Sequence, residues 1–290
     1  MLNEGTKDKI KALKKEYERL KDGKESLLKV LSEAELPERV YNSNAIENST
    51  LTLKETERIL LELEVARNVS VRELFEAKNL ARVNEYLETR PDYQLNIESI
   101  LLLHRMLLGS INDKISGRLR KAGEHVRVGS YVAPAPEHLQ QLLENLIDDF
   151  ESNHDLYFLE NIAYFHLEFE RIHPFCDGNG RIGRLLINQQ LARLGYPPII
   201  IRNKGKMDDY YPLFQMFQDS KDYKGMAELL ALALQESLNK RLAYLKGLQI
   251  VKVSEYAKKQ GSATNALLNA AKRQTIPAFR EKGIWKIGYG

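Results

Sequence analysis

The sequence predicts a mainly α-helical protein, and three observations carry that prediction. Apolar residues recur three and four apart through most of the 290 residues. Thr52 with Glu55, and Ser70 with Glu73, form the spacing by which a hydroxyl and a carboxylate close a helix start on each other. Alternation of β-branched and polar residues, the mark of a strand, is confined to Gly117–Pro136 and the end of the chain.

Taken in order, Lys9 to Lys21 is densely charged with sparse apolar positions and reads as an exposed or partner-facing helix. Pro37 to Glu47 reads as a short helix. The two capping pairs start helices near Leu53 and Val71, and Pro91 closes the second. Asn96 can cap a helix through Leu108 that stops at Gly109. Val126-Arg127-Val128-Gly129-Ser130-Tyr131-Val132 then reads as a short hairpin. Pro136 suits the first turn of a helix over Glu137–Phe150. Asn161 to Ile172 places Ile162, Phe165, Phe169 and Ile172 on one face, so that helix should be buried. Leu185 to Leu194 is again helical and ends at Gly195. Residues 253–273 read as two short helices around Gly261, and Ile276 to Ile287 as a turn and a small β-wing. Neither a tandem repeat nor a low-complexity linker is visible.

Composition bounds the class. Hydrophobic residues at 43% and charged residues at 29% describe a globular protein with a substantial core. No apolar run approaches the ~20 residues a membrane helix needs, and the first residues lack the apolar core of a signal peptide. A single cysteine forms no internal disulfide, which points to a reducing cytoplasm. The six histidines are scattered, against structural zinc. The net charge of +3 is uneven: residues 250–290 hold eight Lys/Arg against two Asp/Glu, leaving 35 against 38 elsewhere.

Chemistry concentrates in the run His173-Pro174-Phe175-Cys176-Asp177-Gly178-Asn179-Gly180-Arg181-Ile182-Gly183-Arg184. The glycine-asparagine-glycine turn leads into the helix at 185–194. Unpaired N–H groups and the positive end of the helix dipole there favour an anion. Arg181 and Arg184, three apart, should share a helix face and point the same way. The run therefore reads as a phosphate cradle with a histidine at its rim.

This run resembles the signature of the Fic family, H-x-F-x-(D/E)-G-N-G-R-x-x-R, at every defining position. The resemblance implies a helical Fic bundle with a β-hairpin flap, and transfer of AMP from ATP to a Ser, Thr or Tyr hydroxyl of a protein. His173 is then the general base, and Asp177 holds Mg²⁺. Nucleotide binding falls to Val128, Gly129, Ser130 and Tyr131 of the flap and to Asp177, Gly178, Asn179, Gly180, Arg181, Ile182, Gly183 and Arg184. Phe175 should be buried as the anchor of the loop, and Cys176 is filling. Doc proteins, which transfer phosphoryl groups, carry lysine where Gly180 stands, so glycine favours AMP transfer. Tyr210 and Tyr211 resemble the tyrosines bordering the family's adenine pocket, although packing would explain them equally. Phe217-Gln218 replaces the alanine-asparagine that often follows.

Ser43-Asn44-Ala45-Ile46-Glu47-Asn48 matches the (S/T)-x-x-x-E-(G/N) inhibitory motif that accompanies Fic cores. Glu47 would pair with Arg184 and take it from the γ-phosphate, with Ser43 holding the helix in place. A solvated glutamate is the plainer alternative. The tail resembles a winged helix-turn-helix, which serves DNA and protein partners alike. The resulting division is 1–95 with the inhibitory helix, 96–245 as the catalytic core and 250–290 as the winged domain. The expected activity is an autoinhibited adenylyltransferase acting on protein targets, with self-modification and a homodimer left open. Removal of AMP by the same site, and a DNA-binding regulator with a dormant site, are the alternatives.

Overall fold

Local side chains fix many of the helix limits. Asn96 accepts the Ser99 N–H at 2.8 Å and Ser99 returns the contact at 3.0 Å, so the helix opens at Ile97. Thr52 and Glu55 close the expected capping box. Ser70 caps its helix too, but the Glu73 carboxylate is taken by Ser49, Thr50 and the Ser70 hydroxyl. The computed structural model describes residues 1–63, 68–128 and 131–290. Among them the helices are α1 (Glu4–Lys21), α2 (Glu25–Ile46), α3 (Leu53–Leu60), α4 (Val71–Glu88), α5 (Ile97–Leu108), α6 (Leu139–Ser152), α7 (Phe158–Ile172), α8 (Asn179–Arg193), α9 (Tyr211–Ser220), α10 (Lys224–Leu245), α11 (Val253–Lys259) and α12 (Thr264–Lys272). The described helices lack the length and apolarity to cross a membrane.

Two compact units result. The first comprises Met1, residues 36–195 and residues 201–227. Its core joins Leu80, Ile100, Leu103, Leu107, Phe165, Phe169, Ile172, Phe175 and Ile182, all buried. The α7 face read from sequence is therefore the face that packs. Strands β1 (Arg127–Val128) and β2 (Tyr131–Val132) pair antiparallel, with Val128 opposite Tyr131. The hairpin expected at Val126–Val132 is formed, and the Ala133 N–H donates to the Val126 carbonyl at 3.0 Å at its base. Gly129 and Ser130 lie outside the described residues.

The second unit comprises residues 2–35, 196–200 and 228–290. Strands β3 (Gln249–Lys252), β4 (Ala278–Glu281) and β5 (Ile284–Tyr289) form an antiparallel sheet in the order β3-β5-β4. Strand β3 was not foreseen, since four residues after a long helix show no alternation long enough to read. Val253, Ala271, Ala278 and Ile287 make a small core beside α11 and α12. Part of the basic balance of the tail is neutralised by a residue outside it: Arg280 pairs with Glu236 at 2.6 Å.

Two sequence expectations are corrected. Helix α1 is not merely exposed; it starts at Glu4 under an Asn3 cap and buries Ile10 and Tyr17. The helix expected at Pro37 begins at Glu25, and Pro37 lies inside it. Pro37 forgoes one helical hydrogen bond, and ion pairs flank it on the adjoining turns, Glu35 with Arg241 at 2.6 Å and Glu38 with Arg202.

Phe165 is fully buried and packs edge-on against Phe150 at 5.2 Å. Phe165→Ala should cost about 3–5 kcal/mol, measured as a drop in the urea midpoint at unchanged slope. A loss under about 1 kcal/mol would show that the site collapses around the smaller side chain.

Candidate active site

The histidine of the loop sits in an uncommon backbone conformation. His173 is the residue after α7 and has φ 49° and ψ 60°, in the left-handed region that disfavours side chains by about 1 kcal/mol. Arg120 holds it there. Its Nε donates to the His173 carbonyl at 2.8 Å, and its Nη2 reaches the Pro134 carbonyl at 2.9 Å. The Arg120 amide donates to the Pro174 carbonyl at 3.0 Å. The next turn is tied just as tightly. Phe175 is buried and stacks on His104 at 3.8 Å, and its N–H and C=O both pair with the Asn179 side chain, at 2.9 and 2.8 Å. Gly117 N–H donates to His104 Nδ1 at 3.0 Å, so His104 Nε2–H donates to the Asp177 carbonyl at 3.0 Å. Burial lowers His104 to about 4 and keeps it neutral for that task.

Around this loop lies a cavity of about 490 Å³. His173, Asp177 and the Gly178-Asn179-Gly180 turn form one wall, with Arg184 and Glu47 beside them. Val128 and Tyr131 of the flap, and Tyr210 and Tyr211, also line it. Of the fourteen residues the resemblance assigns to nucleotide, Arg181, Ile182 and Gly183 are absent from this lining, and two are undescribed. Ile182 belongs to the apolar core. Gly183 is a packing residue: a Cβ there would meet Glu170 Oε1 at 2.6 Å and His166 at 2.9 Å on α7. Gly180 is constrained from the cavity side, where a Cβ would run into the Glu47 carboxylate and Arg184 Nη1.

The two arginines do not share a direction. Arg181 is buried between Glu76 at 3.1 Å and Asp177 at 2.9 Å. Arg184, only 7% exposed, turns to the end of α2. Its Nε donates to Ser43 Oγ at 3.0 Å, and its Nη2 donates to the Ser43 carbonyl at 2.9 Å and to Glu47 Oε1 at 2.8 Å. Ser43 therefore touches Arg184 directly rather than only steadying its helix, and Glu47 contributes one oxygen rather than two. Glu47 itself lies one residue past α2, in the turn.

Electrostatics follow from burial. Burial lowers His173 below the ordinary histidine range, so the ring is neutral at neutral pH. Its Nδ1–H donates to the Glu170 carbonyl at 3.2 Å, which leaves Nε2 as an acceptor. Burial opposes the Asp177 charge, but Arg181, Arg72 and the Gly178 amide outweigh it and hold the carboxyl low. Burial likewise opposes the Arg184 charge, and Glu47 and Tyr210 more than restore it. Burial and the neighbouring Glu47 push Glu170 up to about 8, so it carries its proton. Burial and Glu124 raise the Cys176 thiol, which stays protonated.

Several contributors were missed. Leu167, Glu170 and Arg171 line the cavity, and their spacing of three and four along α7 was a usable signal. Arg120 and His104 gave none, because their partners are carbonyls and amides far away in sequence.

Residues 94–191 match the family model described as Fic/DOC family. The protein adenylyltransferase Fic of Nematostella vectensis is 35% identical over 184 residues, 61% of this chain and 42% of that protein. The chain spans about two fifths to half the length of the curated relatives it matches. A Fic domain containing signaling protein from Bacteroides thetaiotaomicron superposes with a TM-score of 0.72 at 27% identity, covering 82% of this chain and 97% of that one. The common architecture is the mainly helical Fic fold with small β-hairpins. A Fic family protein from Desulfovibrio desulfuricans shares the fold over 100% of this chain and 97% of its own, with a TM-score of 0.68 at 21% identity.

The paired hydrogen bonds of Asn179 make it the staple of the loop. Asn179→Ala would strand a buried N–H and a buried C=O of Phe175, costing about 2–5 kcal/mol. Chemical denaturation checks this, and a change below about 1 kcal/mol would mean that the loop is held by other contacts.

Proposed function

We propose that this chain, which carries a Fic/DOC family domain, transfers AMP from ATP to a protein hydroxyl and holds itself back through Glu47. One observation carries the reading. A neutral histidine whose Nε2 is left as an acceptor faces the same cavity as the start of α8 and a buried arginine. In the reaction the target oxygen bonds to the α-phosphorus as the bond to the β-phosphate oxygen breaks. Pyrophosphate leaves, and the hydroxyl proton passes to His173 Nε2. The amides at the start of α8 and the Arg184 guanidinium would stabilise the phosphate charge.

Asp177 is the side chain that would hold Mg²⁺. Its charged carboxylate lines the cavity, and a phosphate-bound Mg²⁺ uses only one or two carboxylates. When bound, the cation would offset phosphate charge. Glu47 acts as the brake by occupying Arg184, so ATP would bind without its γ-phosphate aligned. Glu47 also lines the cavity, which favours AMP removal by the same site as the second reading, with Glu47 orienting water.

Because burial lowers His173, the base form survives to lower pH than usual. The acid limb of kcat/KM should therefore fall below pH 6.5, with transfer lost as pH drops through the lowered value and the ring protonates. His173→Ala should abolish transfer yet retain ATP binding by calorimetry. A limb at or above pH 6.5, or transfer at the original rate without His173, would refute the assignment.

Glu47→Gly should raise the transfer rate on the order of tenfold or more, with ATP affinity changed far less. Adding Arg184→Ala to that variant should silence it. Fast transfer by the double variant would show that this pair is not the switch.

A further inference from the structure

Arg184 is not the only group that fixes Glu47. The last carbonyls of a helix lack intrahelical partners and carry the negative end of its dipole. At the end of α2 these groups converge on one ammonium. Lys206 Nζ donates to the Ala45 carbonyl at 2.8 Å, the Ile46 carbonyl at 2.8 Å and Asn48 Oδ1 at 2.9 Å. An ammonium has three N–H donors, and all three are used. The Tyr211 hydroxyl donates to the same Ile46 carbonyl at 2.6 Å. The residues on both sides of Glu47 are thus gripped from one direction.

The grip extends along the helix. The Asn203 amide donates to Asn42 Oδ1 at 3.1 Å, and Arg202 pairs with Glu38. Positions 38, 42 and 45–46 fall on one face of α2 at successive turns. Residues 202–211 follow that face and then enter the cavity wall as Tyr210 and Tyr211.

We propose that Lys206 is a positioning residue for Glu47. Its ammonium fixes the two peptide carbonyls just before Glu47 and the Asn48 side chain just after it, and so places the carboxylate on Arg184. The proposal rests on the reading of Glu47 as a brake. Without Lys206, the turn after α2 loses its counter-charge and its cap together, and Glu47 spends less time on the guanidinium. The segment that frames the nucleotide cavity is then also the segment that sets the brake.

The test uses the full chain as wild type, Lys206→Met, Lys206→Arg, Glu47→Gly and the Lys206→Met, Glu47→Gly double variant. Two quantities are read: self-modification from α-labelled ATP, and deuterium uptake by amides 43–48. Lys206→Met should quicken both, the rate on the order of tenfold, since contacts to a charged donor are lost. Lys206→Arg keeps the charge and should stay closer to wild type. The double variant should match Glu47→Gly, because a latch has nothing to hold once the brake is gone. A fast Glu47→Gly protein beside a Lys206→Met protein with wild-type rate and uptake would overturn the latch and leave the brake standing. If Glu47→Gly is itself no faster, the brake reading falls; the uptake of amides 43–48 then decides alone whether Lys206 fixes this turn.

Discussion

A guanidinium buried to the extent of Arg184 must find acceptors, because stripping water from a charge costs several kcal/mol unless partners replace it. The surrounding structure is organised by that demand. Ser43 and Glu47 supply three acceptor contacts from the end of α2, and Tyr210 adds its hydroxyl. Gly180 is bare because the Glu47 carboxylate and the guanidinium take the space of its side chain. A triphosphate would offer the same guanidinium oxygen acceptors of higher charge. The Glu47 carboxylate is thus one answer to the desolvation of Arg184, and phosphate oxygens would be another.

The opposite wall follows a different logic. His173 needs no acceptor for Nε2, and its geometry comes from backbone restraint. Left-handed φ, the Arg120 contact to its carbonyl and the Nδ1–H contact to Glu170 fix where the ring points before any substrate arrives. Asn179 and His104 do the same for Phe175 and Asp177. Preorganised groups need little rearrangement during reaction. The His173 wall is thus fixed largely by its own backbone contacts, whereas the Arg184 wall draws on the end of α2.

Features specified within a few residues were legible in the sequence. The Asn96 start, the Gly109 stop, the apolar face of α7 and the glycine entry to α8 each depend on neighbours three or four residues away. The pairing of Glu47 with Arg184, distant in sequence, was legible only through a motif. Contacts between long polar side chains and distant carbonyls escaped, as with Arg120 and Lys206, because a carbonyl is present at every position and leaves no signature. The divergence of Arg181 from Arg184 escaped for a related reason. Their helical spacing was right, but Glu76 on α4 offered Arg181 a buried carboxylate that no local pattern announces.

Glu170 shows how the two walls communicate. Its backbone carbonyl holds His173, while its carboxyl sits buried near Glu47 and Arg184. Burial and then the Glu47 charge keep that carboxyl protonated, with Arg184 pulling the other way. Were Glu170 ionised beside Glu47, two carboxylates would compete for one guanidinium, and the buried site would hold a net negative charge facing a polyphosphate. A neutral Glu170 avoids this and leaves Arg184 with a single anionic partner. A protonated Glu170 thus adds no second negative charge beside Arg184.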